Sequence, residues 1–134
     1  MLDIILIQNA ESGLKLLEYR QRQTRMTEDH SEIFSGFLTA IQKISEELNI
    51  GNLVLISTEG EKGHNCIVVP QFPINFVLLV DQEDPVHIWK EIGADLAQRF
   101  LKKFQPRLNS HDFSQYEEFL PTIKKICSAD KYCE

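Results

Sequence analysis

The chain has 134 residues, of which 43% are hydrophobic and 25% are charged, and its formal net charge is −6. This length is typical of one domain that can bury a core, and the composition is that of a soluble globular protein. The acidic balance argues against nucleic acid as a partner, because such a protein needs a basic face to displace counterions from phosphates. We therefore predict one domain over residues 1–134, with a frayed end at 128–134.

Neither a targeting segment nor a membrane span is predicted. The short apolar run at Met1–Ile7 contains Asp3 and has no basic stretch before it, whereas a signal peptide needs both a basic start and a longer apolar region. The three cysteines, Cys66, Cys127 and Cys133, are odd in number and irregularly spaced, which favours free thiols. We expect a cytoplasmic protein.

The first half of the chain is predicted to form a hairpin and a long helix. Leu2–Ile7 and Leu14–Arg20 have the composition of strands, and the short turn between them indicates an antiparallel pair. A helix is predicted over Ser31–Asn49, where Asp29 and Glu32 have the spacing of a capping box. Gly51 is its expected stop.

The second half is predicted to contain three strands and then two helical segments. The strands are Leu53–Thr58, Cys66–Val69 and Ile74–Val80. The next helix begins at Asp84-Pro85, with Asp84 as the N-cap, and ends before Pro106. Ser114–Cys127 has a third helical pattern, which Pro121 should kink or divide in two.

This order of elements predicts an α/β fold. The first and fifth strands are apolar on both faces, so we place them at the centre of a five-stranded, mostly antiparallel sheet. One helix covers one face and two helices cover the other, which gives a three-layer sandwich with the order β-β-α-β-β-β-α-α.

No catalytic or cofactor-binding residue is predicted. Ser110-His111-Asp112 are consecutive, whereas a catalytic triad is assembled in space. His64 and Cys66 could activate a thiolate, but no orienting acid accompanies them. The Gly60–Gly63 loop joins two strands and does not lead into a helix that could bind a phosphate.

No metal site is predicted either. The four histidines are scattered along the chain, and only His87 and Glu91 have a spacing that could place two ligands on one helix. Two ligands without others favour a surface contact over a metal site.

The first helix offers the strongest candidate for a binding surface. Its main apolar stripe is predicted to consist of Phe34, Phe37, Leu38, Ile41 and Leu48. Ile33, Gly36, Ala40 and Ile44 widen the apolar arc to one flank, and Lys43 and Glu47 lie beyond it. The small residues Gly36 and Ala40 could pack near a neighbouring strand, or they could admit the helix of a second subunit.

The element order resembles that of the longin domain, from Leu2 to about Cys127. The hydrophobic patterns Asp3–Ile7 and Phe76–Val80 before Asp84-Pro85 are similar to that family. The resemblance implies a non-enzymatic scaffold in small-GTPase regulation or vesicle trafficking. Its implied partners are a small GTPase or another longin or roadblock domain, in a homodimer or heterodimer.

The resemblance also implies where a partner would bind, since longin domains often pair through the first helix and a neighbouring sheet edge. The candidate partner-binding residues are Ile33, Gly36, Ala40, Lys43, Ile44, Glu47, Leu53, Leu55 and Ser57.

Two further interpretations stay open. Arg20, Arg22 and Arg25 could meet an acidic lipid surface or a protein partner, which would allow peripheral membrane association. Alternatively, the chain is a small-molecule sensor or small enzyme with a pocket between sheet and helices, near His64, Cys66 and Trp89.

Overall fold

The structure is a computed structural model that describes residues 1–21, 28–105, 108 and 113–129, without the side chains of 28, 29, 128 and 129. Its elements in chain order are β1 (Leu2–Asn9), β2 (Lys15–Arg20), α1 (Glu28–Glu47), β3 (Leu55–Ser57), β4 (His64–Gln71), β5 (Ile74–Asp81), α2 (Val86–Phe104), a 3₁₀ helix (Phe113–Phe119) and α3 (Leu120–Ala129). The expectations for Arg22, Arg25, the Ser110–Asp112 loop and Cys133 concern positions outside the described residues. Of the end predicted to fray, 128–134, Ser128 and Ala129 instead belong to α3, and 130–134 lie outside the described residues.

The five strands form one sheet in the order β2-β1-β5-β4-β3, and every neighbouring pair is antiparallel. β1 and β5 are interior strands, as their apolar sequences predicted. Their side chains are buried from both sides because helices cover both faces of the sheet. The predicted three-layer α/β fold is therefore confirmed.

The two faces of the sheet carry cores of very different size. The face under α2, the 3₁₀ helix and α3 has the larger core, which includes an aromatic cluster of Phe100, Phe104, Tyr116 and Phe119. The face under α1 has only a small core, built around Ile4, Leu6 and Leu38. α1 is thus attached to the sheet by much less buried apolar surface than α2 is.

Both ends of α1 differ from the prediction. The helix begins at Glu28, so Asp29 lies inside it, and Glu32 pairs with Lys15 at 2.9 Å instead of completing a capping box. The helix stops before Gly51, because Asn49 adopts a positive φ of 55°. The N–H of Asn49 donates to the Glu46 carbonyl and that of Ile50 to the Ser45 carbonyl, which is a Schellman ending.

The N-terminus of α2 is also capped differently. Pro85 is the N-cap and makes no side-chain cap bond. The Asp84 carboxylate instead accepts a hydrogen bond from Trp89 Nε1 at 3.0 Å. The expected side-chain cap is therefore wrong, because the buried indole needs an acceptor and Asp84 supplies it.

Pro121 divides the last helical segment as predicted. The chain forms the 3₁₀ helix up to Phe119 and then α3 from Leu120. Proline is tolerated in the first turn of α3, where its missing N–H would have no partner inside the helix.

Candidate protein-interaction surface

An apolar stripe on α1 faces away from the rest of the described chain. Ile33 is 72% exposed and Ile44 is 52% exposed, and Phe37 and Ala40 between them are also exposed. The spacing of four, three and four residues aligns these side chains along one side of the helix. We call Ile33, Phe37, Ala40 and Ile44 the outer stripe.

The sequence prediction placed Phe37 and Leu48 in the core stripe, and both are exposed. Leu38 of that stripe does meet the sheet, together with the buried serines Ser31 and Ser35, which the predicted stripe did not contain. Ser35 accepts a hydrogen bond from Gln8 Nε2 at 2.8 Å and donates to the Gly13 carbonyl at 3.1 Å. These hydrogen bonds hold the side of α1 that carries Ser35 against the sheet. Phe37 lies on the other side of the helix and is therefore exposed.

Gly36 lies beside the outer stripe and is exposed in the described part of the chain. A Cβ atom built on Gly36 would have no neighbour within 4 Å, and Ala40 one turn later is exposed. The alternative that Gly36 and Ala40 pack near a strand is therefore wrong for this chain. Both small residues leave the helix backbone accessible to another molecule.

The sheet ends next to α1 at β3. Val68 donates its N–H to the Val54 carbonyl, and Thr58 donates to the His64 carbonyl. Because backbone groups alternate along an antiparallel ladder, those of Leu55 and Ser57 point away from β4. No strand of the described chain lies beyond β3, so these groups form an open sheet edge.

Leu53 differs from the other two predicted edge residues. It precedes β3, is half-buried against the α1-side core, and donates its N–H to Gln42 Oε1 of α1 at 2.9 Å. The predicted strand Leu53–Thr58 is thus shorter, since β3 spans Leu55–Ser57 and the N–H of Leu53 bonds to a side chain of α1. Leu53 joins α1 to the edge, whereas Leu55, which is 41% exposed, and exposed Ser57 form the edge itself.

Lys43 and Glu47 are exposed beside the outer stripe, one helical turn apart. This flank of α1 faces β2, since Glu32 on it pairs with Lys15, whereas Leu55 and Ser57 lie at the opposite edge of the sheet. Phe37 is the residue that the prediction missed. Periodicity could not find it, because the apolar arc of α1 is wider than the part that the sheet covers.

The residues weighed for a pocket or for thiol chemistry do not come together. Cys66 lies in the α1-side core and Trp89 in the core on the opposite face of the sheet. Burial raises the pKa of the Cys66 thiol to about 12, so the reactive thiolate does not form near neutral pH. His64 contacts Asp3 and Asp81 instead, a grouping that the sequence prediction missed.

A polar cleft of about 400 Å³ lies beside the C-terminal half of α1. Its walls include the amide side chains of Gln8, Gln42, Asn52 and Asn75, together with Lys43 and Phe72. Like the predicted small-molecule pocket it lies between sheet and helix, but its lining residues do not include His64, Cys66 or Trp89.

Comparison with known proteins gives structural matches alone. No family model matches the chain, and no curated protein sequence matches it. A Roadblock/LC7 domain from Streptomyces avermitilis superposes with a TM-score of 0.59 at 10% identity, over 78% of this chain and 85% of that one. Myxococcus xanthus MglB superposes with a TM-score of 0.55 at 12% identity, over 77% and 85%. The chain has a roadblock/longin-like fold.

The roadblock/longin-like fold confirms the structural part of the resemblance seen in the sequence. None of the described helices is both long and apolar enough to span a membrane.

Proposed function

We propose that this chain is a non-enzymatic, cytoplasmic protein-interaction scaffold that pairs with a second copy of itself. The observation that carries the proposal is the exposed outer stripe of α1, which occurs together with an open sheet edge at β3. Apolar side chains on a helix face are commonly covered by a partner. An open sheet edge has unpaired backbone groups that another strand can satisfy.

A second copy suits this surface because both of its parts are self-complementary. Two β3 edges can pair antiparallel about a two-fold axis, since the outward groups of Leu55 and Ser57 include both donors and acceptors. The same axis would set two α1 helices side by side on one face of the joined sheets.

Sedimentation equilibrium of the purified chain tests the pairing. We expect a dimer, and we expect Ile33→Asp and Ile44→Asp to give monomers because each would bury an unpaired charge at the contact. Gln98→Asp, which adds the same charge to the exposed side of α2, is the control and should stay dimeric. A wild-type chain that remains monomeric at high concentration would overturn the proposal.

The wider role that we propose is small-GTPase regulation or membrane trafficking. It is supported by the roadblock/longin-like fold and by the resemblance to longin domains, and fold likeness is an analogy for function. Peripheral membrane association would be part of the same role.

The GTPase part is tested with purified small GTPases from the source organism, each loaded with GDP or with a non-hydrolysable GTP analogue. Biolayer interferometry should show binding that depends on the nucleotide. Equal or absent binding in both nucleotide states, across the set, would count against this role.

The polar cleft beside α1 favours one alternative, a small-molecule sensor. Its four amide side chains could donate and accept hydrogen bonds to a polar metabolite. Thermal-shift screening against nucleotides and small metabolites would separate the two functions. A ligand whose stabilising effect disappears in Gln42→Leu would support the sensor, because a ligand that binds the folded state raises its stability.

A further inference from the structure

Three neighbouring strands bring two carboxylates and an imidazole together at one end of the sheet. Asp3 lies on β1, Asp81 on β5 and His64 on β4. His64 and Asp81 are direct cross-strand partners, so their side chains share a face. The register of β1 shifts against β5 between Leu2 and Ile4, and this bulge at Asp3 places its carboxylate beside His64.

The distances within this cluster are short. His64 Nε2 lies 2.5 Å from Asp3 Oδ2 and 3.5 Å from Asp81 Oδ1. The side chains of His64 and Asp3 are about one-quarter exposed, at 26% and 25%, so water and small ions can reach them. One ligand atom from each of the three residues falls within 4.8 Å of the others.

The imidazole is oriented so that Nε2 faces the two carboxylates. Its other nitrogen, Nδ1, lies 2.6 Å from the carbonyl oxygen of Lys62, which can only accept a hydrogen bond. Nδ1 must therefore carry a hydrogen, and in a neutral ring Nε2 then presents a lone pair. Ionised carboxylates facing that lone pair would repel it unless a proton or a metal ion lay between them.

We infer that this cluster is a site for a divalent transition-metal ion of the zinc type. His64 Nε2 and one carboxylate oxygen each from Asp3 and Asp81 would be the ligands, and water would complete the coordination. A mixed nitrogen and oxygen set favours such an ion over Mg²⁺ and Ca²⁺, which prefer oxygen alone. The bond from Nδ1 to a backbone carbonyl is the support that metal-binding histidines commonly have.

Small side-chain movements would be enough to admit the ion. Ligands at about 2.1 Å from a tetrahedral zinc are about 3.4 Å apart, so the Asp3 carboxylate must move away from Nε2 by roughly 1 Å. The separation between His64 and Asp81 already has this size. The amino group of Met1 lies 3.2 Å from Asp81 Oδ2, which leaves Oδ1 directed at His64.

Isothermal titration of the full chain with ZnCl₂ tests the site. A Cys133→Ser background removes a thiol that could bind zinc, whereas Cys66 and Cys127 are buried. We expect one zinc ion per chain, bound about tenfold or more weakly after His64→Gln or Asp81→Asn. His87→Gln removes an exposed histidine from α2 and should leave the affinity unchanged.

A second measurement guards against loss of folding. Circular dichroism shows whether each variant is folded, and the half-exposed Asp81 makes Asp81→Asn the safer substitution. In the parent chain, Zn²⁺ should raise the melting temperature, and it should do so much less in folded Asp81→Asn. Absence of binding in the parent, or equal binding in folded Asp81→Asn, would overturn the inference. Neither result bears on dimer formation, which the Ile33 and Ile44 variants test separately.

Discussion

Gly36 and Gly93 both lie within long helices, but their surroundings are opposite. A Cβ atom on Gly36 would meet nothing, whereas one on Gly93 would lie 2.8 Å from Leu78 Cδ1 and 3.0 Å from Val69 Cγ2. Gly93 therefore packs closely on the sheet, against side chains of β4 and β5. At this scale, the same residue type marks an internal contact in α2 and an open surface in α1.

The two glycines predict opposite effects of alanine on stability. Gly36→Ala should stabilise the folded chain by up to about 1 kcal/mol, since alanine is the better helix former. Gly93→Ala gains the same propensity, but it crowds a packed core, and overpacking typically costs about 1–3 kcal/mol. Urea unfolding measures both changes. A Gly93→Ala chain more stable than Gly36→Ala would contradict the packing described here.

Glu18 is a half-buried carboxylate between β2 and α1. Burial by itself would raise its pKa, but hydrogen bonds from Ser31 and Arg20, together with the charge of Lys15, outweigh that effect. The pKa of Glu18 is therefore below its usual value. A carboxyl with a lowered pKa contributes stability above its unfolded pKa, and this contribution is lost as the pH falls through the folded value.

The lowered pKa of Glu18 predicts that acid destabilises the parent chain more than a variant without this carboxyl. Between about pH 5 and pH 3 the free energy of unfolding should fall more in the parent chain than in Glu18→Gln, because glutamine has no carboxyl group to protonate. Glu61→Gln, in the exposed loop between β3 and β4, is the matched control and should follow the parent. Chemical unfolding at a series of pH values gives the comparison, and parallel curves for Glu18→Gln and the parent would refute it.

At the scale of the element, α1 ends because one residue leaves the helical conformation. Asn49 takes the left-handed conformation, with its φ of 55°, and its N–H and that of Ile50 satisfy carbonyls of the last turn. Asparagine tolerates this conformation better than most residues, and glycine tolerates it best. Gly51, the stop predicted from sequence, lies beyond the motif.

Substitutions at Asn49 test whether Asn49, and not Gly51, ends the helix. Asn49→Ala should lower the free energy of unfolding by about 1 kcal/mol, because alanine is strained at positive φ. Asn49→Gly should preserve it. Guanidinium unfolding monitored by circular dichroism measures both, and equal stability of the alanine and glycine variants would show that the motif does not hold this helix end.

At the scale of the whole molecule, the two layers of helices differ in how firmly they are attached. α2 and α3 share a large core with an aromatic cluster, whereas α1 covers a small core and has buried serines on its inner side. Regions with little buried apolar contact open at lower free energy than the rest of a protein. The weakly attached layer is also the one with the exposed outer stripe.

This asymmetry predicts the pattern of amide hydrogen exchange. Amides of α1 should exchange faster than those of α2 and of the central strands β1 and β5, because α1 can open without unfolding the sheet. If two copies pair through α1, its protection should rise with protein concentration, and Ile44→Asp should abolish that rise. Uniform protection of α1 and α2 in this variant would contradict the separate opening of α1.

The order of elements and the central place of β1 and β5 followed from sequence, because these features depend on local hydrophobic periodicity and turn residues. Which arc of α1 faces outward did not, because that choice depends on Ser35 bonding to Gln8 and Gly13 across the chain. His64 and Asp3 are 61 positions apart, and only the register of the sheet makes them neighbours. A side chain's nearest partners are set by packing between distant segments, which no local pattern contains.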